Sequence, residues 1–246
     1  MPFNRLANLL YPPACLLCHT PIDEASSHKR SKAQAILCSD CRLSLPRLLG
    51  PVCLCCSEQL SGAFDKQQLC LRCREKSPAY AKARCAWNYA DGMQKAIAQF
   101  KYHRHWRFAD FFAEEMAETA KRQLPVEIID WVSAVPAYWL KRCLRGYFPA
   151  GELACAVARC LNKPYKPNAI TQTRWTATQT RLSAKVRANN VEGAFKADPR
   201  LAAGKTVLVV DDVLTSGATA QACSAALLES GARQVFFLTA ARTTIA

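Results

Sequence analysis

No apolar run in these 246 residues approaches the ~20 that a membrane-spanning helix needs. The start, Met1-Pro2-Phe3-Asn4-Arg5-Leu6, lacks the long apolar core of a secretory signal. A cytoplasmic protein with no membrane insertion is expected. The Gly-x4-Gly-Lys-Ser/Thr pattern of nucleotide-hydrolysing loops is also missing, which leaves an NTPase reading without support. Histidine is scarce, and His103 and His105 stand at a break in helical periodicity where they read as surface residues. Acidic residues are outnumbered 19 to 33, for a formal charge of +14. The imbalance is local: residues 141–200 hold 12 Lys/Arg against 3 Asp/Glu, whereas 201–246 balance three against three. A basic segment of that kind favours a polyanionic partner, either pyrophosphate, nucleic acid or both.

Cysteine is abundant, with 14 in the chain. Eight of them form four Cys-x2-Cys pairs: Cys15/Cys18, Cys38/Cys41, Cys53/Cys56 and Cys70/Cys73. Each such knuckle supplies two soft ligands from one tight turn, and zinc wants four in a tetrahedron. Two structural zinc ions are expected, with little large apolar side chain in the module to fold it otherwise. Sequential pairing makes two ribbons, whereas joining first with third and second with fourth makes a RING-like cross-brace. Cys55 and Cys85 read as bystanders, and His19 and His28 as solvated loop residues.

The other dense signal is Val207-Leu208-Val209-Val210-Asp211-Asp212-Val213-Leu214-Thr215-Ser216-Gly217-Ala218-Thr219. Aliphatic residues run into two carboxylates, then into small and hydroxylated residues, then into an Ala/Leu-rich helix to Glu229. That is a buried parallel strand, a phosphate-sized turn and a helix N-terminus. Backbone amides there, with Thr215, Ser216 and Thr219 hydroxyls and an unobstructed Gly217, suit a terminal phosphate. Asp211 and Asp212 suit vicinal sugar hydroxyls, directly or through a hard cation. The run resembles the motif by which type I phosphoribosyltransferases bind phosphoribosyl pyrophosphate (PRPP), and it matches at every constrained position.

Around this motif, Arg84 to Tyr89 reads as a strand, Asp91-Gly92 as a turn, and a helix carries Ile97, Phe100 and Lys101. After the histidine break a second helix runs from Trp106 to Arg122 with Phe108, Phe111, Phe112 and Met116 on one face. Lys101-Tyr102-His103-Arg104 is a segment suited to facing an anion. A strand from Ile128 ends at Val135-Pro136, where Pro136 invites a cis peptide or a fixed turn. Lys141, Arg142 and Arg145 follow, then a helix from Gly151 to Leu161. Residues 171–190 are basic and hydroxylated with no evident strand or helix before Ala194, a composition suited to a charged lid over a polyphosphate.

Taken together, the chain resembles the competence protein F (ComF) family, which joins a double zinc ribbon to a phosphoribosyltransferase-like domain. The resemblance rests on the four cysteine pairs, Phe100-Lys101-Tyr102, Val135-Pro136, Lys141-Arg142 with Arg145-Gly146, Thr178-Gln179-x-x-Leu182, Arg187, Asn190 and the acidic-pair motif. One departure is that Tyr147 is followed by Phe148-Pro149 where the family usually shows Asn-Gln, and Pro149 better serves as a helix start. The resemblance implies an α/β fold with an open, mostly parallel sheet of phosphoribosyltransferase type, a zinc-ribbon module over 1–80 and the sheet domain over 81–246. It implies PRPP with Mg²⁺ at Asp211, Asp212, Thr215, Ser216, Gly217, Ala218, Thr219 and Pro136. It also implies a role in natural competence or DNA utilisation, with single-stranded DNA and the uptake machinery as partners. Under the alternative, an active phosphoribosyltransferase of nucleotide metabolism or salvage, Asp211, Asp212, Arg142 and Arg145 carry catalysis by supporting pyrophosphate departure.

Overall fold

A computed structural model of the chain describes residues 13–22, 31, 33–60, 68–102, 105–140, 143, 146–175, 191 and 193–244. After a 3₁₀ turn at Gln34–Ile36 come two short helices, α1 (Ser39–Leu43) and α2 (Leu71–Glu75), each with a cysteine at its N-cap position. Strand β1 (Lys82–Asn88), helix α3 (Asp91–Tyr102) and helix α4 (Arg107–Gln123) follow, then β2 (Trp131–Ala134) and α5 (Pro149–Cys160). A short hairpin pair, β3 (Ile170–Gln172) and β4 (Phe195–Ala197), precedes the one-turn α6 (Pro199–Ala202). The chain then forms β5 (Thr206–Leu214), α7 (Ala218–Glu229) and β6 (Gln234–Arg242).

The main sheet is wholly parallel, in the order β1-β6-β5-β2. Parallel strands need both faces covered, which is why β5 and β6 read as nearly unbroken aliphatic runs. One face packs on α3, α4 and α5, around Phe100, Phe108, Phe111, Phe112 and Trp87. These rings stack and meet edge-on at centroid separations of 5.4–6.4 Å. Truncating any one to alanine costs about 3–5 kcal/mol. The other face carries α7 and the β3–β4 pair. The cysteine knuckles divide the same way: Cys15 joins the first core and Cys53, Cys56, Cys70 and Cys73 the second.

The α/β class and the open parallel sheet agree with the sequence reading, and α5 starts at Pro149 as expected. Three local readings are corrected. Residues 168–195 do hold a strand: β3 pairs antiparallel with β4, too short at three residues for periodicity to reveal. Asp91-Gly92 opens α3 instead of forming a separate turn. The described peptide bonds are all trans, so of the two expectations for Pro136 the cis peptide is not realised, and residues 135–138 leave β2 as irregular backbone.

Candidate functional site

The eight predicted thiol ligands gather into two groups, Cys15/Cys18/Cys38/Cys41 and Cys53/Cys56/Cys70/Cys73, with all sulfurs of a group within 4.8 Å of one another. Sequential pairing is therefore the arrangement realised, not the crossed one. Cys41 N donates to Cys38 Sγ (3.4 Å) and Cys70 N to Cys53 Sγ (3.3 Å), which orients the thiolates inward. Cys18 and Cys38 sulfurs lie 3.7 Å apart and Cys56 and Cys70 sulfurs 3.6 Å. A tetrahedron with metal–sulfur bonds of ~2.3 Å has edges of about 3.8 Å, so both donor sets fit zinc. In each set the metal would crosslink two knuckles and hold the module folded. Cys55 and Cys85 lie outside both groups, as expected, and Cys85 accepts from the buried Thr239 hydroxyl at 3.0 Å.

β5 runs through both acids and ends at Leu214, so Asp211 and Asp212 belong to the strand itself. Asp211 pairs in register with Thr239 of β6. Asp212 is nearly buried, and Lys101 at the last turn of α3 approaches its Oδ1 at 2.8 Å. The anion that Lys101 faces is thus the protein's own. Burial alone would lower the Lys101 pKa, but the Asp212 carboxylate outweighs it and raises the net value. Burial first, and the Asp212 charge second, push Asp211 up to about 8. Cys223 on α7 is fully buried on the other face of the sheet, and that burial pushes its thiol pKa well above the ordinary value. Two consecutive carboxylates therefore share this edge as one charged group with a lysine and one group that keeps its proton near neutrality.

The loop that follows ends at Gly217, whose φ of +83° is the left-handed conformation that favours glycine. Gly217 caps α7: its carbonyl accepts from Gln221 N at 2.8 Å, and Ala218 N approaches Ser216 Oγ at 3.4 Å. The first-turn amides and the helix dipole thus face the end of β5. Thr215, Ser216, Gly217, Ala218 and Thr219 are all partly accessible. On the neighbouring strand Ala134 is in register with Val210, and Val135 N donates to Val210 O at 2.9 Å. Pro136 consequently leaves the sheet beside Asp211. Carboxylates, anion loop and the segment after β2 meet at the carboxyl edge of the sheet, where open α/β folds bind ligands. Arg142, Arg145 and residues 176–190, which include most of the expected lid, lie outside the described residues.

Three contributors escaped the sequence reading. Arg242, at the end of β6 and only 2% exposed, donates from NH1 to Thr215 O (3.0 Å) and from NH2 to Glu58, with Cys56 Sγ at 3.8 Å. Glu58 also accepts from Arg72 at 2.9 Å. Arg84 donates to the carbonyls of Ala83 (2.7 Å) and Leu54 (3.0 Å), pinning the same knuckle to β1. The second thiol group is thereby wired through one guanidinium to Thr215, the first residue of the loop after β5. A charge inside the apolar run of β6 was the available signal, because a buried arginine is nearly always paired. Between this knuckle and the loop lies a cavity of about 320 Å³ lined by Arg72, Lys76, Tyr80, Ser216, Gly217 and Gln221 among others. Its wall is tied by Ala79 N donating to Gln221 Oε1 at 2.7 Å.

Comparison with known proteins shows what this chain is similar to. Residues 6–74 match the double zinc ribbon domain. DNA utilization protein YhgH of Escherichia coli (strain K12) is 28% identical over 239 residues, covering 92% of this chain and 96% of that protein. Competence protein F of Haemophilus influenzae is 28% identical over 208 residues, covering 81% and 87%. The chain is similar to competence protein F and its relatives over most of its length. Competence protein ComFC of Bacillus subtilis extends the set at 24% identity, covering 93% of this chain and 94% of that protein. Among solved structures, the B. subtilis glutamine PRPP amidotransferase complexed with ADP and GMP aligns with 57% of this chain at 18% identity and a TM-score of 0.38. A structure of the allosteric regulatory enzyme of purine biosynthesis aligns with 58% at 20% identity and 0.39. This chain spans about 30% and 29% of the length of those two structures. Among the described residues no helix is long and apolar enough to cross a membrane.

Proposed function

We propose that this chain binds PRPP, with Mg²⁺, at the carboxyl edge of its parallel sheet and handles single-stranded DNA in natural competence or DNA utilisation. The observation that carries the ligand is the union of the Asp211–Asp212 pair with the Gly217-capped anion loop, beside Pro136. Residues 215–219 would hold the 5′-phosphate through amides and hydroxyls, and the acids would hold the ribose hydroxyls. Lys101 would have to release or share Asp212 as the sugar arrives. A Mg²⁺ ion supplies charge neutralisation for the pyrophosphate when bound, and the carboxylates at the strand end are the chain's own oxygen donors for it. The DNA part is supported by the names of the relatives and by the basic surplus of residues 141–200. The double zinc ribbon over the first 80 residues would serve as the brace of the site over 81–246, through Arg242.

Calorimetry with PRPP and Mg²⁺ tests the ligand on the wild type and on the Asp211→Asn/Asp212→Asn double variant. Equal affinities would reject the assignment. Release of pyrophosphate with nucleobases or ammonia as acceptors would convert the binder into an enzyme, with Arg142 and Arg145 as the next residues to replace.

A further inference from the structure

Tryptophan is ordinarily well buried in a folded domain, yet three of the five here are not. Trp87 and Trp131 are core residues, whereas Trp106, Trp139 and Trp175 are 62%, 60% and 47% exposed. Two of the three belong to one cluster. Tyr138 lies with its ring centroid 5.9 Å from that of Trp139 at 46°, and 5.9 Å from that of Trp175, edge-on at 82°. Tyr138 ends the irregular segment that leaves β2 beside Asp211, Trp139 opens the helical turn after it, and Trp175 leads out of β3 next to Arg174. Trp106 and the 61%-exposed Tyr102 flank the end of α3, where Lys101 meets Asp212. The exposed large aromatics of the sheet domain thus collect on segments leaving one edge, not over the surface at random.

We propose that Tyr138, Trp139 and Trp175 form a stacking platform for the bases of a single strand of nucleic acid. Flat, rigid rings in solvent are suited to base faces, and such stacking tolerates any base because every base has a π-face. Charge argues for a strand over an apolar protein partner: Arg174 adjoins Trp175, and residues 141–200, which contain both, carry 12 basic residues against 3 acidic ones. A phosphate held by Arg174 would leave the neighbouring bases to rest on the rings. The platform rests on the DNA-handling reading above and specifies where on the molecule that reading is enacted.

The test is fluorescence titration of the full zinc-loaded chain with oligothymidylate at two salt concentrations. Wild type should bind with intrinsic tryptophan quenching and weaken steeply with salt. Trp139→Ala and Trp175→Ala should each weaken binding about tenfold, with the salt dependence unchanged because no phosphate contact is lost. Trp139→Phe and Trp175→Phe should recover part of the loss. Retention of two zinc ions and of a cooperative melt certifies the fold of each variant, and the phenylalanine variants carry the comparison if an alanine variant unfolds. If wild type fails to bind the strand even at low salt, the DNA-handling reading itself falls. If wild type binds and both alanine variants bind equally well, the platform falls and that reading survives. Free nucleosides binding as tightly as the strand, or phosphatidylserine vesicles quenching the same tryptophans in place of the strand, would also overturn the platform.

Discussion

The Lys101 ammonium stands 2.8 Å from Asp212 Oδ1, so one of the two acids at the end of β5 is already engaged with a cation. The contact lets two adjacent carboxylates coexist at a nearly buried strand end, because one is neutralised by the lysine and the other keeps its proton. Replacing Lys101 with methionine removes the cation but keeps the length of the stem. The variant should lose about 1–3 kcal/mol of stability, measured by urea unfolding, since a mostly buried charge is left alone and part of the site remains hydrated. An unchanged midpoint would mean that water already screens the pair.

Asp211 supplies a pH dependence whose sign follows from its shift. Its folded pKa, pushed up to about 8, lies above the unfolded value of ~3.9. The folded state therefore holds a proton that the unfolded state releases. That stabilisation is complete below about pH 4 and is lost as pH rises through about 8. Unfolding free energy should fall between pH 6 and 8.5, and Asp211→Asn should flatten the fall. If Mg²⁺–PRPP binds the ionised pair, calorimetry in buffers of different ionisation enthalpy should show protons released on binding.

Arg242 reaches from Thr215 to Glu58 and Cys56. Arg242→Met should cost about 3–5 kcal/mol by taking the buried guanidinium from Glu58, whose other ion pair is with the half-exposed Arg72. Hydrogen exchange at residues 215–219 should rise in this variant. The same exchange should rise when a chelator strips zinc from the wild type. Protection of these amides after complete zinc loss would separate the knuckle from the loop.

Metal stoichiometry divides the cysteines. The wild type should hold two zinc ions per chain, and Cys18→Ser or Cys56→Ser should leave one. Cys55→Ser should keep both, because its thiol belongs to neither group. Elemental analysis after exhaustive dialysis reads all four.

Gly217→Ala places a side chain where φ is +83°. The new Cβ would meet the Tyr80 hydroxyl at 3.5 Å, an ordinary contact, so the penalty is conformational. A destabilisation of about 1 kcal/mol is expected, with a larger proportional loss in phosphate affinity as the loop amides tilt.

Much of this arrangement was legible in the residues. Zinc ligands reveal themselves by spacing, and the acidic-pair motif by the coincidence of strand, turn and helix signals around Asp211 and Gly217. The long helices followed from periodicity, as with Phe108, Phe111, Phe112 and Met116. The pairing of the knuckles did not follow, since it depends on which faces of the sheet the ribbons cover. Nor did β3 and β4, whose three-residue strands carry too little pattern to stand out from a polar loop. Arg242 and Glu58 were invisible because their meaning lies in a contact across 184 residues of chain. Lys101 was half legible: a cation suited to an anion, without a hint that Asp212 would be that anion.

The strand order also has a bearing on how the protein is born. Strand β1 pairs with β6, the last of the six strands to leave the ribosome, and with no other strand among the described residues. The roughly 150 residues between them take on the order of ten to thirty seconds to translate. Throughout that interval the thiol knuckles can already capture metal, whereas β1 has no ladder to join and Glu58 no Arg242 to meet. The nascent chain thus matures in two acts, an early metal-templated one and a late closure of the sheet. Termination after Cys73 and before residue 234 would release a product with both thiol groups complete but the sheet open, an obvious client for chaperones and proteases.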